Sequence, residues 1–435
     1  MPLVFHTMKN KNLFVKIVFI AIIVLLLFSL VAPAIFSQTL PAPKKESLLN
    51  GLKVLMWNDT KADKVTVKLR IHAGSAFDPQ GKEGVMQLLA DNIFPNEAAK
   101  EFFIEDLGGS LEVVTNYDLI QINASSKPEN FLTMLETLST AVSNPGIDKE
   151  TTAKLKASLI AKIKALEADP AYVADRAAAK RLFGTFPYGR PQFGTEASVK
   201  TVDFADLVDA KGRFLSADNA TIAISGNFDR ALGFRAIRRY FGGWLKSDKR
   251  VPSTFRQPDD PPSGIQIVPS PVVGKTAIRY AMRGLARSDK DLESSLIFTT
   301  ILETRLKARV PSGHTGDVFV RNEYHTLPGM IAIGFSADKG EFGTANGKVE
   351  ANELVGKAMI DPITEAEFQV ARTAVQTAWA GRDAISFWLD VDTFKTAEPT
   401  TKSTDVTLAD VRAFAETTVK KPMVAILVNT PTPAS

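Results

Sequence analysis

The chain has 435 residues, 52 Lys+Arg against 48 Asp+Glu, a formal net charge of +4, 45 % apolar residues and no cysteine. This composition excludes wholesale disorder, a collagen-like repeat, a disulfide scaffold, thiolate metal sites and cysteine nucleophiles. The small charge surplus, with no basic patch interleaved with aromatics, speaks against a nucleic-acid partner, and only His6, His72, His314 and His325 are available for imidazole chemistry.

Lys9, Lys11 and Lys16 precede an apolar run over 17–36, followed by small and polar residues. Residues 1–37 are therefore expected to be a signal peptide, or an uncut membrane anchor, since about 20 apolar residues span a bilayer. Ala32-Pro33-Ala34 has the form of a cleavage site. Cleavage leaves 49 Lys+Arg against 48 Asp+Glu, a net +1, so the basicity belongs to this segment. The rest of the chain is expected outside the cytoplasm, periplasmic or secreted, with the membrane touched only through this segment.

After a short linker over 38–45, residues 46–250 read as a first unit. Lys64 to His72 alternates strictly, with Val65, Val67, Leu69 and Ile71 on one face, the pattern of a half-buried strand. His72 falls on the opposite, polar face and reads as a solvated strand histidine. Residues 82–93 carry a helical apolar pattern. Segments 110–115 and 119–124 form an antiparallel pair around Asn116-Tyr117-Asp118. Helices follow over 129–143, 149–167 and 171–183, then a strand over 221–226 and a helix over 230–240. Residues 251–263 contain four prolines and read as a linker. Residues 264–435 repeat the layout in outline: strands over 276–282, 330–335 and 423–428, helices over 288–306, 347–360 and 364–382. Strands grouped with helix pairs indicate an α+β fold, two homologous units each with an antiparallel-rich sheet packed by helices. His314 and His325 lie in loop-rich sequence and read as loop histidines without a metal.

One series of motifs is specific. Asn50-Gly-Leu-Lys-Val, Ala73-Gly-Ser75, Gly81-Lys-Glu-Gly84, Leu107-Gly-Gly-Ser-Leu111, Phe186-Pro-Tyr-Gly-Arg-Pro191 with Gly194-Thr195, and Asn219 to Asp229 occur in this order. The series resembles the pitrilysin/insulinase family of zinc peptidases over most of 51–244, and more weakly over the second unit. The resemblance implies the inverted zinc motif H-x-x-E-H on a helix, whose two His hold Zn²⁺ and whose Glu is the general base, with a distal Glu as third ligand. The matching stretch is Gly84-Val-Met-Gln87-Leu-Leu-Ala90-Asp91-Asn-Ile-Phe94. The ligand positions hold Gln87 and Asp91, the base position Ala90, and the distal position Lys162. No zinc or other cofactor is expected, because an amide, one carboxylate and an ammonium do not make a Zn²⁺ site, and Ala90 cannot take a proton. Gln87 and Asp91 then read as a solvated helix face, with Asp91 paired to Lys162. The Arg and Tyr with which active members grip substrate fall at Pro311 and Val318, and Arg321 and Tyr324 nearby are candidate substitutes.

The resemblance further implies that extended peptide adds to the edge of the strand containing Leu111, Glu112, Val113, Val114 and Thr115, which needs only backbone groups. An internal or capped strand is the other reading of that segment. The family's chamber takes four such units and this chain has two, so a second chain is expected: an active H-x-x-E-H subunit in a heterodimer, or a second copy in a homodimer. Three functions follow: a zinc-less peptidase subunit, a structural or peptide-binding protein without a protease partner, or an active peptidase using an unrecognised site.

Overall fold

The computed structural model describes residues 41–247, 255–338, 342–343, 349–398 and 406–429. The signal or anchor expected over 1–37 lies outside the described residues, as do 251–254 of the Pro-rich linker. In chain order, the first half contains β1 (Lys44–Ser47), β2 (Lys53–Asn58), β3 (Val65–Ile71), α1 (Val85–Asp91), α2 (Ala98–Glu105), β4 (Ser110–Thr115), β5 (Ile120–Ser126), α3 (Phe131–Ser143), α4 (Lys149–Glu167), α5 (Pro170–Phe183), α6 (Glu196–Thr201), α7 (Phe204–Phe214), β6 (Ala220–Gly226) and α8 (Arg230–Phe241). The second contains β7 (Ile265–Pro269), β8 (Lys275–Arg283), α9 (Leu292–Arg309), β9 (Val318–Glu323), β10 (Met330–Asp338), α10 (Ala351–Ile360), α11 (Glu365–Ala380), α12 (Ala384–Phe394), α13 (Leu408–Val419) and β11 (Met423–Asn429).

The strand order is β1-β2-β6-β3-β5-β4 in the first sheet and β7-β11-β8-β10-β9 in the second. In each sheet one neighbouring pair is parallel, β2 with β6 and β7 with β11, and the other pairs are antiparallel. The sheets therefore correspond strand for strand, with β1 extra in the first. The α+β sandwich used twice is the fold.

Alternation in β3 places Val65, Val67, Leu69 and Ile71 in a core shared with α1, α3 and α8. Ile278, Tyr280 and Met282 of β8 face the corresponding core against α9 and α13. Capping side chains fix several helix starts. Asp148 accepts from Thr151 N at 2.8 Å, and Thr364 with Glu367 and Thr407 with Asp410 form capping boxes.

Each half lends one helix to the other's sheet. Ala174, Ala178 and Leu182 of α5 pack on Ala277, Ala281, Val424 and Ile426, the alanines allowing close approach. Ile385, Trp388 and Leu389 of α12 pack on Leu55, Trp57 and Ala223 of the first sheet. Charges complete both contacts. The Arg279 guanidinium, 1 % exposed, pairs with Asp175 of α5. Lys68 pairs with Asp383, Arg70 with Asp390 at 2.8 Å and Lys53 with Asp392 at 2.6 Å.

His72 is not a solvated strand histidine. Its Nε2 lies 2.9 Å from Thr221 Oγ1 and 3.5 Å from Asp392 of α12. Burial pushes its pKa from 6.5 down to about 4, against the attraction of Asp392. The polar face of β3 is a contact surface because α12 covers it.

Candidate functional site

Helix α1 starts where the sequence provides a cap from a distance. Asp78 is buried, and its carboxylate accepts from the amides of Gly84 and Met86, both at 2.8 Å. Desolvation raises its pKa to about 7, moderated by those two bonds. Gly84 has φ +108°, and a Cβ there would meet Val199 at 2.9 Å, so glycine is required. The helix points Gln87, Ala90 and Asp91 toward β4 and α4.

Gln87 and Ala90 are buried rather than part of a solvated face. Gln87 Nε2 donates to Asp91 Oδ1 at 2.8 Å, and its Oε1 accepts from Thr115 Oγ1. The amide thus ties α1 to the end of β4. Burial raises the Asp91 pKa, while the Gln87 bond and the Lys162 charge work the other way. Lys162 forms no ion pair with Asp91 among the described residues. Its ammonium stands 3.9 Å from the centre of the Phe193 ring, a cation–π contact.

Strand β4 is an edge of its sheet. Leu111, Val113 and Thr115 face the core side, while Glu112 and Val114 are exposed. Glycine at 109 is forced by the neighbouring strand, since a Cβ there would sit 1.7 Å from Ser125 O. Beyond the end of β4 lies a cleft of about 720 Å³, bounded by α5, residues 188–193 and the β9–β10 loop, with Tyr117, Tyr172, Asp175, Glu323 and His325 among its walls.

A buried cluster closes one side of the cleft. Asp118 accepts from His325 Nδ1 at 3.0 Å, Tyr188 Oη at 3.0 Å and Thr326 N at 3.1 Å. Burial opposes its charge, but the His325 and Thr326 interactions outweigh it and hold the pKa below the usual carboxylate value. The His325 ring lies 4.5 Å from that of Tyr188. His325 is therefore a tether between the two halves, and His314 bonds Asp317 at 2.9 Å.

Of the two positions where the resemblance places the family's Arg and Tyr, Pro311 precedes a 3₁₀ turn and Val318 is buried at the start of β9. Arg321 is half-exposed, pairs with Asp175 at 2.8 Å and stacks 4.6 Å from Phe319. Tyr324 lies beneath the Arg287 guanidinium at 5.0 Å.

The sequence models for "Insulinase (Peptidase family M16)" and "Peptidase M16 inactive domain" match residues 53–196 and 201–375. The chain belongs to the insulinase family. A probable mitochondrial-processing peptidase subunit beta of Arabidopsis thaliana is 25 % identical over 191 residues, 43 % of this chain and 36 % of that protein. A cytochrome b-c1 complex reductase subunit of Candida albicans is 26 % identical over 188 residues, 43 % of this chain and 41 % of that one. The matches thus span well under two thirds of these curated relatives. The structure of a peptidase M16 inactive domain from Pseudomonas fluorescens superposes with TM-score 0.79 at 18 % identity, covering 90 % of this chain and 99 % of that one. The periplasmic protease PqqL from Escherichia coli gives 0.68 at 17 % identity, covering 90 % of this chain and 49 % of that one.

The zinc expected of the insulinase family does not fit the residues in its place. Gln87 spends both ends of its amide on protein partners, Asp91 is a lone carboxylate with a raised pKa, and Lys162 brings a positive charge toward it. Zn²⁺ needs neutral imidazole, thiolate or carboxylate donors. Among the described residues no three His, Asp or Glu gather in a metal-binding group.

Sequence reasoning missed Asp118, Tyr188 and Gln192, whose Nε2 donates to Thr115 O at 2.7 Å. Tyr188 and Arg190 lie inside the Phe186–Pro191 motif, so the motif itself was the available signal. Asp118 carried none beyond its place in a turn.

Proposed function

We propose that this chain is an exported, non-catalytic insulinase-family subunit that pairs with an active H-x-x-E-H subunit and holds extended peptide along β4. The observation that carries this reading is the replacement of the whole zinc and base set by Gln87, Ala90, Asp91 and Lys162. Without a metal or a base, water is not activated here. The edge position of β4 supports the peptide part, because strand addition uses backbone groups alone. Within this reading, Arg321 and Tyr324 are the candidates for a second grip on peptide. The apolar segment over 17–36, and a periplasmic relative, favour an extracytoplasmic place.

A second reading, a structural subunit without a protease partner, draws on the similarity to a cytochrome b-c1 complex subunit. Pull-down of the tagged chain from its native host separates the two. A co-purified insulinase-family subunit with intact H-x-x-E-H, whose peptide cleavage a chelator stops, supports the heterodimer. Capture of no such subunit, with no cleavage in the eluate, leaves the structural reading.

A further inference from the structure

We infer that Gln192 fixes the register of a peptide added to β4, by closing the strand's open edge at Thr115. The inference rests on the peptide-binding reading above and adds to it a specificity-determining residue.

The open backbone groups follow from the hairpin. Asn116 N donates to Leu119 O at 3.0 Å, so these two residues form a hydrogen-bonded pair. The register Thr115↔Ile120 through Ser110↔Ser125 then makes 114, 112 and 110 the inward-bonded residues of β4. The amides and carbonyls of Leu111, Val113 and Thr115 point away from β5, into the open edge. Gly109 belongs to the same outward set, and its N–H donates to Phe103 O of α2 at 2.8 Å.

At the other end, Gln192 Nε2 donates to Thr115 O at 2.7 Å. That carbonyl is the acceptor an incoming strand would use there. Gln192 follows the Phe186–Pro191 motif directly, and its neighbour Phe193 is held against Lys162, so the loop is anchored beside the strand end. The open run is thus closed by α2 at one end and by Gln192 at the other. Between them, Leu111 and Val113 keep both backbone groups available among the described residues.

An antiparallel peptide exchanges two hydrogen bonds with Val113 and two with Leu111. Its residue opposite Thr115 accepts from the Thr115 amide but finds no acceptor for its own N–H. An unmade backbone bond is costly when desolvated. A residue without an N–H, proline above all, loses nothing at that place, and proline is tolerated at the first residue of a strand. In the antiparallel orientation this residue is the N-terminal one, next to the cleft. The ligand class is therefore an extended peptide with proline or another N-substituted residue two positions before the first doubly bonded residue.

The test is an N-methyl scan of a capped, fluorescein-labelled peptide of the β5 sequence, Ile-Gln-Ile-Asn-Ala-Ser-Ser, which already pairs with β4 on its other side. Binding to the full chain is read by fluorescence anisotropy. In the wild type, methylation at alternate residues weakens binding about tenfold, for the loss of a backbone bond and the clash with its acceptor. The residue two positions before the first sensitive one is indifferent. In Gln192→Ala that residue becomes sensitive, and the unmethylated peptide binds more tightly. Equal sensitivity at that residue in wild type and variant overturns the role of Gln192. Absence of binding, or binding without any alternate-residue pattern, overturns the strand-addition reading itself and the inference with it.

Discussion

The contact of α12 with the first sheet makes folding stability depend on pH through His72. The imidazole stands between Thr221 and Asp392, with Lys53, Arg70 and Lys395 also acting on its charge. Its folded pKa of about 4 lies below the ordinary 6.5. As pH falls below 6.5 the unfolded chain takes up a proton that the folded chain refuses, so stability is lost down to about pH 4. The linkage relation gives a loss of about 2 kcal/mol between pH 7.5 and pH 5. The imidazole keeps one-fifth of its surface exposed, so that figure is an upper bound. His72→Gln removes the titration and keeps a polar group facing Thr221. Urea unfolding of wild type and variant at pH 7.5, 6 and 5 isolates the histidine from the other titrating groups. The wild type is expected to lose up to about 2 kcal/mol more than the variant over this range. Parallel pH profiles would refute the argument, because they would mean that α12 does not cover His72 in solution.

The same contact has a larger electrostatic element. Asp390 pairs with Arg70, whose guanidinium is 5 % exposed, and also with Arg287. Asp390→Ala leaves the buried Arg70 with Gln121 and Thr393 but without its paired carboxylate and is expected to cost about 3 kcal/mol, read as a clear drop in the thermal midpoint. A midpoint unchanged within a degree would contradict the buried pair. Gly109→Ala places a Cβ against Ser125 O, and about 3 kcal/mol of destabilisation or a loss of soluble expression is expected; a variant as stable as wild type would show the β4–β5 hairpin is wrongly placed. Restoring the family's donors together, Gln87→His, Ala90→Glu, Asp91→His and Lys162→Glu, is expected to retain one Zn²⁺ per chain after dialysis, measured by elemental analysis. Failure to retain zinc would mean that the α1–α4 frame is no longer that of the active enzymes.

Local pattern made much of the fold legible. Val65 to Ile71 declared a half-buried strand by alternation, and Gly84 to Phe94 kept the spacing that the family resemblance expects of its helix. The pattern failed where the partner surface came from far along the chain. His72 looked solvated on the polar face of its strand, since alternation cannot distinguish water from a charged helix. Asp383, Asp390 and Asp392 provided the complementary row, but α12 itself was not assigned from the sequence. Likewise α5 read as part of the first unit, while its small residues fit Ala277 and Ala281 of the second sheet. Gln87 looked solvated because an amide on a helix usually is, and its bond to Thr115 depends on β4 being adjacent. Asp118 and His325 are more than 200 residues apart in sequence, and only the contact between halves joins them.

The central claim is that the frame of a zinc peptidase persists here without its chemistry. The most direct measurement is peptide cleavage by the purified chain alone, supplied with excess Zn²⁺, against a quenched-fluorescent peptide library with and without a chelator. The account predicts fluorescence release equal to the protein-free blank in both conditions. Turnover that a chelator stops, and that Gln87→Ala or Asp91→Ala abolishes, would contradict it.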